Sequence, residues 1–349
     1  MANPVADPQI RRAVLRFDAT PRLGGGHAIR SLALADRLAT AGWDCKIAVS
    51  SETLAMLPEL RKRGAGLIEL DGPAEGEPGE LAHALPDGCS ILVVDHYERS
   101  ADFERACRPW ASSILVIEDL PNRKHDCNFL LDQTFGRCPR DYDEVVGNGS
   151  KMFCGSKFAL LRDAFRAARA EALDRRQSTE AVGRILVCMG LSDPGNASGR
   201  AIEGIVESGT AAKIDVVLGT GAPNIDEVQR QLSALSGRGK LHVAPNNLAE
   251  IMTKADLAIS AAGSTTWERC CLGLPAIMTA LSDNQALIAK NVSDAGAGLM
   301  VGRNGEMDAG QVAEAVAEIT RDAALWLEMS EAAAAICDGK GAERVERTL

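Results

Sequence analysis

The sequence is poor in aromatic residues, which make up only 4% of its 349 residues. Hydrophobic residues still reach 46%, so the cores must consist mainly of Ala, Leu, Val and Ile, as in parallel sheets covered by helices. The chain has no run of 18 or more apolar residues, and Met1–Pro8 lacks the basic and apolar regions of a signal peptide. We therefore expect a cytoplasmic protein without a membrane partner.

A clustered basic face and a metal-binding cysteine pattern are also missing. The formal net charge is −10, whereas binding to nucleic-acid phosphates requires clustered Lys and Arg, so no nucleic-acid partner is expected. The ten cysteines are scattered and contain no Cys-x-x-Cys pair, which indicates reduced thiols and no zinc site. Any anionic ligand is therefore expected to be small.

The length of the chain suggests two domains, and both halves alternate β-rich runs with helical patterns. The predicted strands are Ala13–Asp18, Cys45–Ser50, Ile91–Asp95 and Ile114–Glu118 in the first half, and Ile185–Met189, Ile214–Leu218, Leu241–Val243, Leu257–Ser260 and Ala276–Thr279 in the second. Such alternation requires crossover connections and hence mainly parallel sheets. We predict an α/β fold of two Rossmann-like domains, residues 1–157 and 158–349, which face each other across a cleft.

The most informative segment joins the first predicted strand to a predicted helix, residues 26–41, through Gly24-Gly25-Gly26-His27. Glycines let the backbone pass close to a bound molecule, and His27 falls in the first turn, where the helix dipole favours a neutral imidazole. A neutral imidazole can accept a proton, so His27 is the candidate general base, with Asp18 as the carboxylate that orients it. The alternative is that the glycines only tighten a turn.

Polar side chains end another apolar strand, as Asp95-His96-Tyr97. Because ligands bind at the C-terminal edge of parallel sheets, we expect these side chains to face the cleft. The alternative is that Tyr97 covers the core and His96 makes a local hydrogen bond. The other histidines are interpreted as ordinary surface residues: His83, His125 and His242.

In the second half, a predicted strand is followed by Gly263-Ser264-Thr265, where a helix is expected to begin. The free N–H groups of that helix can hold a diphosphate, and the carboxylate of Glu268 could accept hydrogen bonds from two ribose hydroxyls. The alternative is that Ser264 and Glu268 make only capping and surface contacts. Weaker candidates at the same edge are Gly190, Asn284 and Gln285.

The order of these motifs from residue 13 to residue 298 resembles the UDP-sugar hydrolases of pseudaminic acid biosynthesis, the PseG family. The resemblance is carried by Gly24–His27, Val94–Tyr97, Cys188–Asp193, Ile259–Ala261 and Asp283–Gln285. The chain departs from the family's Gly-Gly-Thr-Asp turn by having Leu191-Ser192 after Gly190. Relatives of the family include MurG-type glycosyltransferases, so the resemblance implies the GT-B architecture and a shared nucleotide site at Gly263, Ser264 and Glu268.

The resemblance implies that UDP-2,4-diacetamido-2,4,6-trideoxy-β-L-altropyranose is hydrolysed to the free sugar and UDP, in a pathway that supplies flagellin glycosylation. His27 then corresponds to the proposed catalytic histidine, Tyr97 to a tyrosine in the cleft, Asn284 to an asparagine near the sugar phosphate, and Glu268 to the ribose carboxylate. Water is expected to invert the anomeric carbon. The full predicted site comprises His27, Asp18 and Tyr97 as catalytic residues and Gly25, Gly26, Gly190, Gly263, Ser264, Glu268, Asn284 and Gln285 as binding residues.

No metal or other cofactor is expected, because no carboxylate pair or histidine cluster suggests a divalent-ion site and helix N-termini can stabilise the departing diphosphate. The main alternative is a MurG-like inverting glycosyltransferase. The first half shows no basic cluster or apolar surface helix that would meet a membrane-bound acceptor, which favours hydrolysis. A non-catalytic nucleotide-sugar-binding module is the third possibility, and the presence of His27 beside its glycine loop counts against it.

Overall fold

The computed structural model describes residues 11–20, 23–147, 149–303 and 307–349. The segment Met1–Pro8 and the residues Pro21 and Arg22, which precede the glycine loop, lie outside the described residues. Within the described ranges, no helix combines the length and the apolar composition needed to cross a bilayer.

The first domain is built on a parallel sheet with the strand order β3-β2-β1-β4-β5-β6-β7. Its strands are β1 (Arg12–Phe17), β2 (Asp44–Ser50), β3 (Leu67–Leu70), β4 (Ile91–Asp95), β5 (Ile114–Ile117), β6 (Phe129–Asp132) and β7 (Lys151–Cys154). Its helices are α1 (Gly26–Thr40), α2 (Ser51–Met56), α3 (Glu77–Ala84) and α4 (Ala101–Cys107), with 3₁₀ turns at Pro58–Gly66, Pro139–Tyr142 and Ser156–Phe158.

The central strands of this sheet are apolar because helices cover both of its faces. In β4, Ile91 and Val93 join the core beneath α1, whereas Leu92 and Val94 join the core on the opposite face. This alternation follows from the two-residue period of a strand. The polar side chain of β4 is therefore at the strand end, where β4 finishes in Asp95.

The second domain is built on a parallel sheet with the order β10-β9-β8-β11-β12-β13. Its strands are β8 (Arg184–Cys188), β9 (Lys213–Leu218), β10 (Gly239–Val243), β11 (Leu257–Ala261), β12 (Ala276–Ala280) and β13 (Gly298–Arg303). The remaining helices are α5 (Asp163–Gln177), α6 (Ala197–Glu207), α7 (Ile225–Ser233), α8 (Leu248–Lys254), α9 (Thr265–Cys271), α10 (Asp283–Asp294), α11 (Ala309–Arg321), α12 (Ala323–Ile336) and α13 (Gly341–Glu346).

The predicted α/β architecture of two parallel-sheet domains is confirmed, and each predicted strand lies within two residues of an observed one. The strands β3, β6, β7 and β13 were not among the predicted ones. β6 and β7 are four residues long, and no α-helix separates β5, β6 and β7 along the chain, so they break the β–helix alternation on which the prediction depended.

The last helix returns to the first domain, which differs from the predicted assignment of all residues from 158 onward to the second. Ala342 and Val345 of α13 are buried in the first-domain core that α1 covers. Arg37 of α1 forms an ion pair with Glu346 at 3.0 Å. The apolar face of α13 therefore completes the first domain, and the chain crosses between the domains twice.

Candidate active site

The two domains border a cavity of about 210 Å³ at the C-terminal ends of their strands. The loops after β1, β4, β5 and β6 form one side, and the ends of β8, β11 and β12 with their following loops form the other. Ligands of open α/β sheets bind at this edge. The cavity brings together nine of the eleven predicted site residues: Gly25, Gly26, His27, Tyr97, Gly190, Gly263, Ser264, Asn284 and Gln285.

We call His27, Arg30, Tyr97, Asp119 and Gln133 the first-domain wall of the cavity. We call Gly190, Gly263, Ser264, Thr265, Asn284 and Gln285 the second-domain wall.

His27 is held by a carboxylate at the end of the neighbouring strand. α1 begins at Gly26, as the glycine loop predicted, and this places His27 in its first turn. The Nδ1 atom of His27 lies 2.5 Å from Oδ1 of Asp95, a fully buried residue. Because an ionised carboxylate can only accept, Nδ1 is the nitrogen that donates to Asp95, and in the neutral imidazole the lone pair is then on Nε2. His27 can therefore accept a proton from a molecule in the cavity.

Asp95 is kept ionised by the groups around it. Arg30 donates to its two oxygens at 2.8 and 2.6 Å, and the Ser31 hydroxyl donates at 2.9 Å. Burial raises the pKa of Asp95, but the charges and hydrogen bonds of Arg30 and His27 outweigh it and hold the pKa well below its ordinary value. The carboxylate is thus available to stabilise an imidazolium when His27 takes up a proton.

The expectation that Asp18 orients His27 is wrong, because Asp95 has that position. Asp18 Oδ1 accepts from the backbone N–H and hydroxyl of Ser50 and from the Thr53 hydroxyl. Its Oδ2 faces Arg16 at 2.9 Å and Nε2 of His96 at 3.1 Å. Asp18 therefore fixes the junction at which β2 ends and α2 begins.

Tyr97 connects the two walls. Its hydroxyl donates to Oδ2 of Asp119 at 3.0 Å and accepts from Nδ2 of Asn284 at 2.9 Å. The ring meets the His27 imidazole edge to face, with 4.6 Å between centroids. Burial and the charge of Asp119 raise the pKa of Tyr97, so the hydroxyl stays protonated. His96 instead makes the local hydrogen bond considered as its alternative, accepting from the Glu98 backbone N–H at 3.0 Å.

The glycine loop lies against the second domain. A Cβ atom at Gly25 would overlap the side chain of Leu191, and one at Gly26 would stand 3.4 Å from the Ser264 hydroxyl oxygen. The glycines therefore permit a close approach between domains in addition to forming the turn. Ser264 is the residue before α9, as predicted, and Gly263, Ser264 and Thr265 line the cavity.

Glu268 lies behind the cavity wall. The residue is 1% exposed, and its Oε1 accepts from Arg162 at 3.0 Å. Its Oε2 is buried and has no hydrogen-bond partner in the described part of the chain. Burial and the charge of Glu268 raise the pKa of the cavity-lining Cys188 to about 11, and the neighbouring residue Trp267 lines the cavity. Its contact with a ribose stays a prediction.

His125 corrects one further interpretation. It was assigned to the surface, but it is 6% exposed and bridges Glu104 at 2.7 Å and Glu118 at 3.2 Å. Burial lowers its pKa, but hydrogen bonds to the two glutamates outweigh this and raise the pKa.

The described residues contain no group of three or more His, Cys, Asp or Glu side chains placed to bind a metal.

The wall residues that sequence reasoning missed are Arg30, Asp119 and Gln133. Asp119 and Gln133 follow β5 and the unpredicted β6, and Arg30 lies one turn after His27 on α1. Asp119 follows a predicted strand, and ligands bind at the C-terminal ends of parallel strands. The reasoning that selected Tyr97 could therefore have selected Asp119 as well.

Residues 185–345 match the family described as the glycosyltransferase family 28 C-terminal domain. The solved structure of MurG from Acinetobacter baumannii superimposes with a TM-score of 0.65 at 15% identity, covering 97% of this chain and 99% of MurG. A substitution variant of Os79 from O. sativa, solved in complex with UDP, gives a TM-score of 0.65 at 13% identity, over 97% of this chain and all of that one. The chain has the GT-B fold.

Two sequence relatives match most of the chain, and the first of them supports the resemblance to the PseG family. The UDP-2,4-diacetamido-2,4,6-trideoxy-β-L-altropyranose hydrolase of Campylobacter jejuni is 22% identical over 75% of this chain and 88% of its own length. An uncharacterized protein of Methanocaldococcus jannaschii is 24% identical over 75% of this chain. The match spans about half, 54%, of that archaeal protein.

Proposed function

We propose that this GT-B chain hydrolyses a UDP-sugar to UDP and the free sugar, with His27 as the general base. The proposed substrate is UDP-2,4-diacetamido-2,4,6-trideoxy-β-L-altropyranose, after which the Campylobacter relative is named. The observation that carries the proposal is the His27–Asp95 pair at the cavity, opposite the loops that begin α9 and α10. The reaction is proposed to take place in the cytoplasm.

The first-domain wall activates water in this proposal. Nε2 of His27 accepts a proton from water as the water oxygen forms a bond with the anomeric carbon. Asp95 stabilises the resulting imidazolium through Nδ1–H, and Arg30 keeps Asp95 ionised. General-base catalysis of this kind contributes about 10²–10⁴-fold to a rate.

The second-domain wall receives the leaving group. When the bond between the anomeric carbon and the phosphate oxygen breaks, negative charge grows on the UDP diphosphate. The first N–H groups of a helix have no intrahelical partner, so those at the beginning of α9 and α10 can donate to these oxygens. Neutral donors fixed in advance stabilise such charge without rearranging.

We propose that the domains separate to admit the substrate, because the cavity is smaller than most small-molecule sites. Such sites commonly measure about 300–1,000 Å³, and this cavity measures about 210 Å³. Leu191 against Gly25 and Asn284 against Tyr97 are the contacts that such an opening would break. We propose that the structure represents a closed arrangement.

Hydrolysis in ¹⁸O-labelled water tests the reaction. Attack at the anomeric carbon should place the label on C1 of the sugar and leave UDP unlabelled, and early NMR spectra should show the inverted anomer. Label in UDP would indicate attack at phosphorus and would contradict the role of His27.

A MurG-like inverting transfer is the second candidate, favoured by the match to the glycosyltransferase family 28 C-terminal domain. UDP release in water alone supports hydrolysis, and release only after an acceptor is added supports transfer. Binding of UDP-sugar without any release would support a non-catalytic module.

A further inference from the structure

The cavity-lining residue Asp119 is held by the buried carboxylate that precedes it in the chain. Glu118 comes directly after β5 and is fully buried. Its Oε1 accepts from the backbone N–H groups of Asp119 at 2.9 Å and of Leu120 at 3.0 Å. The Asp119 side chain in turn accepts from the Tyr97 hydroxyl at 3.0 Å and from Arg30 at 3.3 Å. The backbone position of Asp119, and with it these two contacts, therefore depends on Glu118.

Glu118 is itself held by two basic side chains of the loop that follows it. Its Oε2 lies 3.2 Å from Nε2 of His125 and 2.5 Å from the guanidinium of Arg123. Burial raises the pKa of Glu118, but the hydrogen bond from His125 and the charge of Arg123 outweigh burial and lower the pKa, so the carboxylate is ionised at neutral pH. Arg123 also lies over the Tyr97 ring, 5.9 Å from its centroid. The loop thus contacts Tyr97 directly and Asp119 through Glu118.

Each ring nitrogen of His125 faces a carboxylate oxygen. Nδ1 lies 2.7 Å from Oε1 of Glu104, and Nε2 faces Oε2 of Glu118. With both carboxylates ionised, both contacts are hydrogen bonds only when both nitrogens carry a proton, because a neutral imidazole has a single N–H. Loss of one proton would point a lone pair at a carboxylate. The contact with Glu104 is the shorter, so we expect the remaining proton on Nδ1 and the lone pair facing Glu118.

His125 is the member of this cluster whose charge changes in the alkaline range. Burial lowers its pKa, but the hydrogen bonds and charges of the two glutamates outweigh burial and hold the pKa above its ordinary value of about 6.5. Burial raises the pKa of Cys127 to about 12 and holds that of Tyr142 well above its ordinary value, so both stay neutral. The charged and titratable groups around His125 in the described part of the chain are Glu104 on α4, Glu118 after β5, Arg123, Asp126 and Cys127 of the loop, and Tyr142 of the 3₁₀ turn.

We propose that His125 is a positioning residue for the reaction, which acts through Glu118 to place Asp119 and Tyr97 at the cavity. Protonated His125 holds Glu118 against the backbone of Asp119, and Asp119 holds the Tyr97 hydroxyl that meets Asn284. Loss of the proton repels Glu118 and loosens these contacts, so turnover falls on the alkaline side. The inference rests on the proposed function for the reaction that is measured, and it adds a residue that touches no substrate.

The test follows turnover and a spectroscopic signal of Tyr97 as functions of pH. The chain contains two tyrosines, Tyr97 and Tyr142, so NMR of protein labelled with ¹³C-tyrosine gives two sets of ring signals, which Tyr97→Phe assigns. UDP release from the proposed UDP-sugar and the Tyr97 signal are recorded from about pH 5 to pH 10. The proteins compared are the wild type, His125→Gln and the control His83→Gln, whose position on α3 is exposed.

In the wild type, kcat/KM should fall about three- to tenfold on the alkaline side, the loss expected for a weakened hydrogen-bond network. The Tyr97 signal should change with the same midpoint. Both transitions should be absent in His125→Gln, which should have the lower kcat/KM at every pH, and both should remain in His83→Gln. A separate transition from His27, whose ring meets Tyr97, should remain in His125→Gln. The affinity for UDP should be unchanged, because the nucleotide is assigned to the other wall.

Glu104→Gln provides a second variant in case His125→Gln does not fold. It removes one of the two charges that favour the imidazolium and leaves Glu118 unchanged, so both transitions should move to lower pH by about one unit. If His125 had only a structural role, this change would lower the rate and leave the midpoint in place.

The inference would be overturned by transitions that persist in His125→Gln, by a midpoint that does not move in Glu104→Gln, or by wild-type hydrolysis without an alkaline fall. The proposed function stands in each of these cases, because UDP is still released in water. A wild type that shows the Tyr97 transition but releases no UDP would contradict the proposed function instead.

Discussion

The two walls of the cavity differ in charge. The first-domain wall carries the titratable side chains of His27, Arg30, Tyr97 and Asp119 in one hydrogen-bonded network. The described lining of the second domain contains no Asp, Glu, His, Lys, Arg or Tyr and offers glycines, hydroxyls and amides. This contrast suggests a division in which one domain moves a proton and the other stabilises a charged leaving group with neutral dipoles.

His27→Gln tests that division most severely. We expect turnover to fall by about 10²–10⁴-fold, because Gln cannot act as a base at neutral pH. UDP affinity should stay unchanged, because the nucleotide is assigned to the other wall. Steady-state kinetics and UDP calorimetry measure the two quantities, and His83→Gln on the exposed face of α3 is the matched control. Full turnover in a folded His27→Gln protein would remove the proton chemistry from this wall.

Asp95→Asn separates the base from the group that orients it. We expect a loss of about 10²-fold in turnover, because Asn can present an N–H to Nδ1 and thereby favour the wrong tautomer. UDP affinity should again be unaffected. Loss of UDP binding with normal turnover would reverse the assignment of the two walls.

The same variant should also change how the free energy of unfolding depends on pH. The folded-state pKa of Asp95 lies below its unfolded value of about 3.9, so the unfolded state binds more protons as the pH falls through that window. The stability contributed by Asp95 is therefore present above pH 4 and lost in stronger acid. The difference in free energy of unfolding between wild type and Asp95→Asn should shrink from pH 6 to pH 2, as measured by urea titration. Asp102→Asn, at an exposed position on α4, is the matched control.

Sequence reasoning placed His27 at the cavity but did not find its partner. The glycine loop and the first turn of α1 are local features, so His27 could be placed from residues next to it. Asp95 is distant in sequence and reaches His27 only because β4 pairs with β1, with Asp95 opposite Phe17. The alternation of strands and helices along the chain does not determine the order of the strands in the sheet. Asp18, which lies close to His27 in the sequence, was therefore predicted as its partner.

The second wall was predicted better than the first. Gly263, Ser264 and Asn284 take part through turns and helix beginnings that short motifs specify, and the structure places them on the cavity. Gln133 follows β6, a strand that the sequence pattern did not reveal, and the pairing of β5 with β6 brings it to the cavity edge that Asp119 lines. The return of α13 to the first domain likewise depends on long-range packing.

Glu268→Gln tests the nucleotide side. If Oε2 accepts from a ribose hydroxyl, the variant should bind UDP about tenfold more weakly and keep its turnover at saturation, because such a contact is made equally in ground and transition states. The constant to follow is KM, with Glu331→Gln at an exposed position on α12 as control. A fall in kcat with unchanged UDP affinity would place the uridine elsewhere.

The contact between the walls should have the smallest effect. Tyr97→Phe removes the hydroxyl that accepts from Asn284, and Asn284→Ala removes the donor from the other side. If this hydrogen bond holds the domains together, the two changes should be non-additive in kcat/KM, with a coupling of about 0.5–1.5 kcal/mol. The kcat/KM of the double variant would then be only slightly lower than that of the less active single variant. Gln229 is an exposed residue on α7, so the effects of Tyr97→Phe and Gln229→Ala should be additive. Strict additivity of Tyr97→Phe and Asn284→Ala would mean that the walls act independently and that the hydrogen bond between them has no part in the reaction cycle.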